Sequence, residues 1–165
     1  MPVQNVKSLC ETTKASLKNA NEKMEKFLNH YNLSSFEMEN DEMEEFYKGY
    51  LADLRHLLVF SEVEYEKLGI ALRRPVFNES VSEKVLYEVY HNVVNSFFYP
   101  KHECYSEDGR YAYTGQDAIR FRSKPQREVR DVTLELSKIF EELRELLSYY
   151  ETDYVNHKRM QGERV

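Results

Sequence analysis

The chain of 165 residues has no tryptophan, two cysteines, four prolines and five glycines. Each shortage removes a class of protein. Cys10 and Cys104 cannot build the disulfide framework of a small secreted scaffold, so the sequence reads as cytoplasmic with both thiols reduced. So little glycine is a poor supply for the many tight turns of an all-β fold and suits long helices. No apolar run approaches the ~20 residues of a membrane-spanning helix. The start, Met1-Pro2-Val3-Gln4-Asn5-Val6-Lys7, lacks the basic region and apolar stretch of a secretion signal. A net charge of −6 opposes a role as a nucleic-acid coat or membrane-surface binder. What is present is a globular mixture, 41% hydrophobic and 32% charged, of a length that suits one domain over 1–165. Thirteen tyrosines bring apolar area with a polar handle, suited to core edges and interfaces.

The hydrophobic spacing predicts four helices. Val3, Val6, Cys10, Thr13, Leu17, Ala20, Met24, Phe27 and Tyr31 fall on one 3-4-3-4 stripe, giving a first helix over about 3–32 and placing Cys10 among buried hydrophobes. Asp41 with Glu44 reads as the capping pair of a second helix, 41–68, with the stripe Met43, Tyr47, Tyr50, Leu54, Leu57, Ser61, Tyr65 and Leu68 and a stop at Gly69. Ser80 with Glu83 caps a third, 81–98, apolar nearly all round apart from Lys84, Glu88, His91 and Asn95. Ser123 with Gln126 caps a fourth, 125–157, striped by Val129, Val132, Leu136, Ile139, Leu143, Leu146, Tyr150 and Tyr154. Between the last two, residues 99–124 lose the helical period. They carry Ser106-Glu107-Asp108-Gly109, the alternation Tyr111-Ala112-Tyr113 and Gly115, the marks of a β-hairpin or ordered loop. The expected fold is mainly all-α: an up-down-up-down four-helix bundle with a hairpin inserted between helices 3 and 4.

No catalytic motif, metal site or cofactor is assigned. Glu88 and His91 have the spacing of di-metal bundle ligands but lie on the polar strip of helix 3. Asp53 and His56 point away from the stripe of helix 2. His102 and Cys104 share one face of an extended segment, a weak signal for a metal or a Cys–His nucleophile.

The anomaly is electrostatic. From Asp41 to Leu72 eight acids face three bases, whereas Arg120, Arg122, Lys124, Arg127 and Arg130 stand against Glu128 alone between Ala118 and Arg130. Such a cluster either pairs internally with the acids of helix 2 or forms a binding surface. The reading adopted is a non-enzymatic interaction or regulatory protein that binds a protein partner through Arg110, Tyr111, Tyr113, Gln116, Asp117, Arg120 and Arg122. The alternative is a nucleic-acid or phosphate-ligand module on the same Arg/Tyr cluster, disfavoured by the net charge. A third is a small enzyme with a pocket between hairpin and bundle near His102, Glu103 or Asp117. The back of helix 2 has its own stripe, Phe46, Gly49, Asp53, His56 and Phe60. A glycine between two aromatics there implies close packing, by the hairpin or by a second copy of the chain, which makes Phe46, Gly49 and Phe60 the candidates for self-association.

The stretch Gly109-Arg110-Tyr111-Ala112-Tyr113-Thr114-Gly115-Gln116-Asp117-Ala118-Ile119-Arg120-Phe121-Arg122, with Phe140-Glu141-Glu142-Leu143-Arg144 and Tyr149-Tyr150-Glu151-Thr152-Asp153-Tyr154, resembles the YpuI-like proteins of Bacillus-type bacteria. The resemblance covers nearly the whole chain and implies a bacterial cytoplasmic protein. It brings no activity and no functional residue with it.

Overall fold

The computed structural model describes residues 5–107 and 119–162. The chain is mainly helical, with one small antiparallel hairpin: α1 (Val6–His30), a 3-10 turn (Leu33–Ser35), α2 (Asp41–Arg73), α3 (Glu79–Glu88), a π turn (Val89–Val94), α4 (Asn95–Phe98), β1 (Tyr105–Glu107), β2 (Ile119–Phe121), α5 (Arg127–Leu146), a 3-10 turn (Ser148–Tyr150) and α6 (Asp153–Met160).

The caps differ from those expected. Asparagines start the first three long helices: the amide oxygens of Asn5, Asn40 and Asn78 accept from the backbone N–H of Lys7, Met43 and Val81 at 2.8, 2.9 and 3.0 Å. A short side chain carrying an acceptor just outside the first turn satisfies an otherwise orphaned donor, so Asn40 displaces Asp41 and Asn78 displaces Ser80 from the cap position. Gln126, not Ser123, caps α5, and its side chain makes no capping bond. Gly69 does not stop α2. The helix continues to Arg73, where Pro75 forces the residue before it, Arg74, into an extended conformation (φ −63°, ψ 140°).

The third and fourth helices are both interrupted. The 79–98 segment passes through a π turn, whose extra residue rotates the apolar face. Val89, Tyr90, Val93, Val94, Phe97 and Phe98 are all buried as a result. This is the physical basis of the all-round apolar pattern. The expected single helix over 125–157 breaks after Leu146. There the carbonyl of Tyr150 is taken by the His91 ring (2.9 Å) and the Tyr150 hydroxyl by Glu83 (3.0 Å), so the turn is fastened to α3 and α4's helical run instead of continuing α5.

Paired contacts place the helices side by side. Phe27 meets Tyr50 while Lys14 lies over Tyr65, which sets α1 against α2. Lys67 bonds Glu88 at 2.9 Å, which sets α2 against α3. Phe97 stacks on Phe140 with centroids 4.8 Å apart, and Tyr87 packs on Tyr154. The α1 stripe from Cys10 to Phe27 is buried as the spacing predicts, and one continuous core joins α1, α2, the α3–α4 run and α5. Among the described residues, no helix is long and apolar enough to cross a membrane.

Candidate functional site

The hairpin is held to the helices by contacts from three sides. Its strands pair Tyr105 with Phe121, Ser106 with Arg120 and Glu107 with Ile119, and the Arg122 N–H donates to the Cys104 carbonyl at 2.8 Å. The fit on α2 begins at Gly49: a Cβ placed there would lie 2.8 Å from His102 Cβ and 3.4 Å from Cys104 Sγ. One turn further along α2, Asp53 accepts twice from His102, from its backbone N–H at 2.9 Å and from ring Nδ1 at 2.7 Å. On the second side, the buried Tyr105 donates its hydroxyl to the Phe97 carbonyl at 2.7 Å. On the third, Arg144 of α5 forks onto both carboxylate oxygens of Glu107, one at 3.1 Å, with its guanidinium 4.0 Å from the Phe98 ring centroid. Beneath the hairpin, Thr133 gives its hydroxyl proton to the Val129 carbonyl at 2.6 Å. It therefore accepts at 2.6 Å from Tyr50, whose ring packs against Tyr105.

The glycine between two aromatics on the back of α2 thus meets the hairpin. Phe46 is fully buried and Gly49 is covered, whereas Phe60 is 46% exposed. Three members of the arginine cluster have contacts of their own. Arg122 donates to the His102 carbonyl at 3.2 Å and lies 5.9 Å from the Phe46 ring centroid. Arg127 and Arg130 reach Asp131. The α2 acid that fastens the hairpin, Asp53, takes a histidine. Glu88 is spoken for by Lys67, and His91 by the Tyr150 carbonyl. Among the described residues, no group of three or more histidine, cysteine, aspartate or glutamate side chains could hold a metal ion.

His102 and Cys104 do not form a nucleophilic pair. Cys104 is fully buried, with its thiol directed at the Phe46 carbonyl (3.4 Å). Burial pushes that thiol up to about 11; Arg122 pulls it down and Asp53 pushes it further up. A thiol held protonated is a poor nucleophile. Cys10 is likewise buried and raised to about 11, by burial and then by the charges of Glu11 and Glu83.

Between the end of α4 and the hairpin lies an open groove of about 810 Å³. Phe98, Tyr99, Pro100, Lys101 and Glu103 line it from the chain that leaves α4, and Tyr105, Ser106, Arg120, Phe121 and Arg122 from the hairpin. Glu103 shapes the bend with a positive φ of 51°, and its N–H returns to the Pro100 carbonyl at 3.0 Å. Tyr99 is 73% exposed. Lys101 and Arg120 are exposed and make no ion pair among the described residues. Of the residues singled out from sequence, Arg120 and Arg122 line this groove. Arg110, Tyr111, Tyr113, Gln116 and Asp117 lie outside the described residues. Tyr99, Lys101 and the Asp53–His102 pair were not anticipated. The available signal was a carboxylate one turn beyond a helical glycine, facing a loop that opens with Pro-Lys-His.

Asp53 supplies the polar half of the attachment, so Asp53→Ala should free the hairpin base. The expected cost is about 2 kcal/mol in denaturant unfolding, reduced from the larger figure for buried charged bonds because the His102 ring is half exposed. A more direct readout is thiol labelling: Cys104 should react at least about tenfold faster in the variant, with Cys10 unchanged. Equal Cys104 rates would show that Asp53 does not hold the hairpin down.

These features define a helical protein that carries a rigidly based hairpin beside an open cationic and aromatic groove. The chain belongs to the family described as Protein of unknown function (DUF3907), which matches residues 10–156. It is also similar to the uncharacterised protein YpuI of Bacillus subtilis (strain 168), 38% identical over 108 residues, 63% of this chain. The match spans 60% of that relative's length. No solved structure matches.

Proposed function

We propose that this is a cytoplasmic, non-enzymatic interaction protein, an up-down-up-down four-helix bundle whose hairpin base presents the Tyr99/Lys101/Arg120 groove to an acidic segment of a partner protein. The observation that carries this reading is the exposed Tyr99 ring beside two cations that find no carboxylate among the described residues. Cations with no carboxylate partner among the described residues forgo favourable electrostatics there, and an aromatic with flanking basic groups is the composition of an interface anchor. The hairpin's three-sided attachment holds the groove in shape before binding, which lowers the entropy cost of association. Arg110, Tyr111, Tyr113, Gln116 and Asp117 extend the proposed surface on the strength of the sequence alone.

Co-purification of partners with wild type, with Tyr99→Ala plus Arg120→Glu, and with Tyr111→Ala plus Arg120→Ala tests this. Both residues of the first pair are exposed, so helical content should be unchanged while one or more partners are lost. Identical partner sets for all three proteins would end the proposal. The same exposed ring between cations also suits base stacking and phosphate neutralisation, which keeps single-stranded nucleic acid as a second reading. That reading requires binding that weakens steeply between about 50 and 200 mM salt, and the net charge of −6 opposes it.

A further inference from the structure

A second surface, which shares no lining residue with the hairpin groove, lies between α1 and α2. It is about 430 Å³ in volume and open to solvent. Its floor is apolar: Val59 and Val63, one turn apart on α2, are 56% and 46% exposed, and Tyr65 lies beside them. With the half-exposed Phe60 between them in sequence, the two valines give this stretch of α2 an apolar surface that an occupant would cover. The rim is acidic. Glu22 and Glu25 stand on the α1 side, Glu62 and Glu66 on the α2 side, and Lys18 is the one basic residue lining the groove. None of the four carboxylates makes an ion pair among the described residues, although Lys23, close by on α1, is engaged with Glu135 and Lys14 lies over the Tyr65 ring. At the groove's inner edge Asn21 is 9% exposed, and its amide oxygen has no hydrogen-bond partner.

From these features we infer that the α1/α2 groove docks a basic amphipathic helix of a partner protein. An occupant must place apolar side chains on Val59 and Val63 and cations against both rims. One helix with an apolar stripe flanked by lysines or arginines meets both needs, since side chains at i, i+3, i+4 and i+7 share a face. A second copy laying this same groove against its own would add carboxylates to carboxylates. Unpaired rim charges also predict fast, salt-dependent association. The surface is independent of the hairpin groove and opposite to it in charge.

The test uses the full chain and a fluorescent 18-residue Leu/Lys peptide with an amphipathic helical pattern, followed by anisotropy at 150 mM salt. A peptide of the same composition in scrambled order controls for plain charge attraction. The patterned peptide should bind at least about tenfold more tightly than the scrambled one. Val59→Ser plus Val63→Ser, and separately Glu22→Gln plus Glu62→Gln, should each weaken it at least about tenfold. Glu142→Gln plus Glu145→Gln on α5 should change it less than about twofold. Melting curves establish that each variant is folded, and exposed sites make this the expected result. Equal binding of the two peptides, an unaffected valine variant that melts like wild type, or an equal loss on α5 would overturn the inference. A concentration-dependent dimer in sedimentation that Val63→Ser abolishes would assign the groove to a second copy and overturn it as well. Tyr99→Ala plus Arg120→Glu should leave peptide binding intact, which separates this surface from the hairpin groove.

Discussion

Gly49→Leu should cost about 3 kcal/mol of stability or lift the hairpin off α2 altogether. A helix-interior glycine is normally a liability, worth roughly 1 kcal/mol to replace with alanine. At Gly49 that gain is not available freely, because the first added carbon would already sit 2.8 Å from His102 Cβ and 3.0 Å from its Cγ. His102 cannot easily step aside. Its backbone N–H and its ring both bond Asp53, and its carbonyl accepts from Arg122. Leucine therefore forces a choice between distorting α2 and breaking the Asp53–His102 attachment. Gly49→Ala should already destabilise by about 1 kcal/mol, because displacing the pinned His102 outweighs the propensity gain. Urea unfolding measures the first effect, and Cys104 labelling the second, since the buried thiol reacts only when the hairpin opens. If Gly49→Leu is as stable as wild type with Cys104 still unreactive, the hairpin does not rest on this glycine. Because the hairpin base shapes the Tyr99/Lys101/Arg120 groove, the proposed reading of that groove expects Gly49→Leu to match Tyr99→Ala plus Arg120→Glu in co-purification.

How much of this was legible in the sequence follows from the range of the interactions involved. The stripes of α1 and α2 were readable because burial on one helical face repeats every three to four residues, and Cys10, Leu17, Met24 and Phe27 all lie where that repeat puts them. Residues 99–124 lost the period, and strands do occur there. The segment 79–98 read as apolar on every side, but not as a π turn, because the extra residue is set by packing against α2 and α5 and leaves no local mark. The break after Leu146 was equally hidden: the stripe Leu143, Leu146, Tyr150 and Tyr154 continues through it, and only bonds to His91 and Glu83 on a distant helix redirect the chain. At the candidate site, sequence reasoning found the basic cluster and the close approach at Gly49. It did not find the partners, since Asp53–His102 and Arg144–Glu107 join residues 49 and 37 positions apart.

The other large effect is expected with pH. Glu64 of α2 is 3% exposed, one of its carboxylate oxygens has no hydrogen-bond partner, and Ser61 one turn away is buried with its hydroxyl also unpartnered. Burial first, then the nearby Glu88 charge, raises the Glu64 carboxyl from 4.5 to about 7, while Lys67 at 3.7 Å works the other way. The folded protein thus holds a proton that the unfolded chain releases at lower pH. Its contribution is fully favourable below about pH 4.5 and is lost as pH rises to about 7, after which both states are ionised and the penalty stays constant. Two and a half pH units of displacement correspond to about 3 kcal/mol at most. Glu64→Gln keeps the shape and removes the titration. Relative to wild type it should be nearly neutral at pH 4.5 and stabilising by up to about 3 kcal/mol at pH 8, with the difference building between those limits. Comparing urea midpoints of the two proteins across that range isolates Glu64, because the other carboxylates titrate alike in both. A difference that stays flat with pH would mean that Glu64 is already ionised in the folded protein and that Lys67 compensates for its burial. With Glu64 raised as described, Glu88→Gln, which removes the neighbouring negative charge, should move the wild-type transition to lower pH without abolishing it.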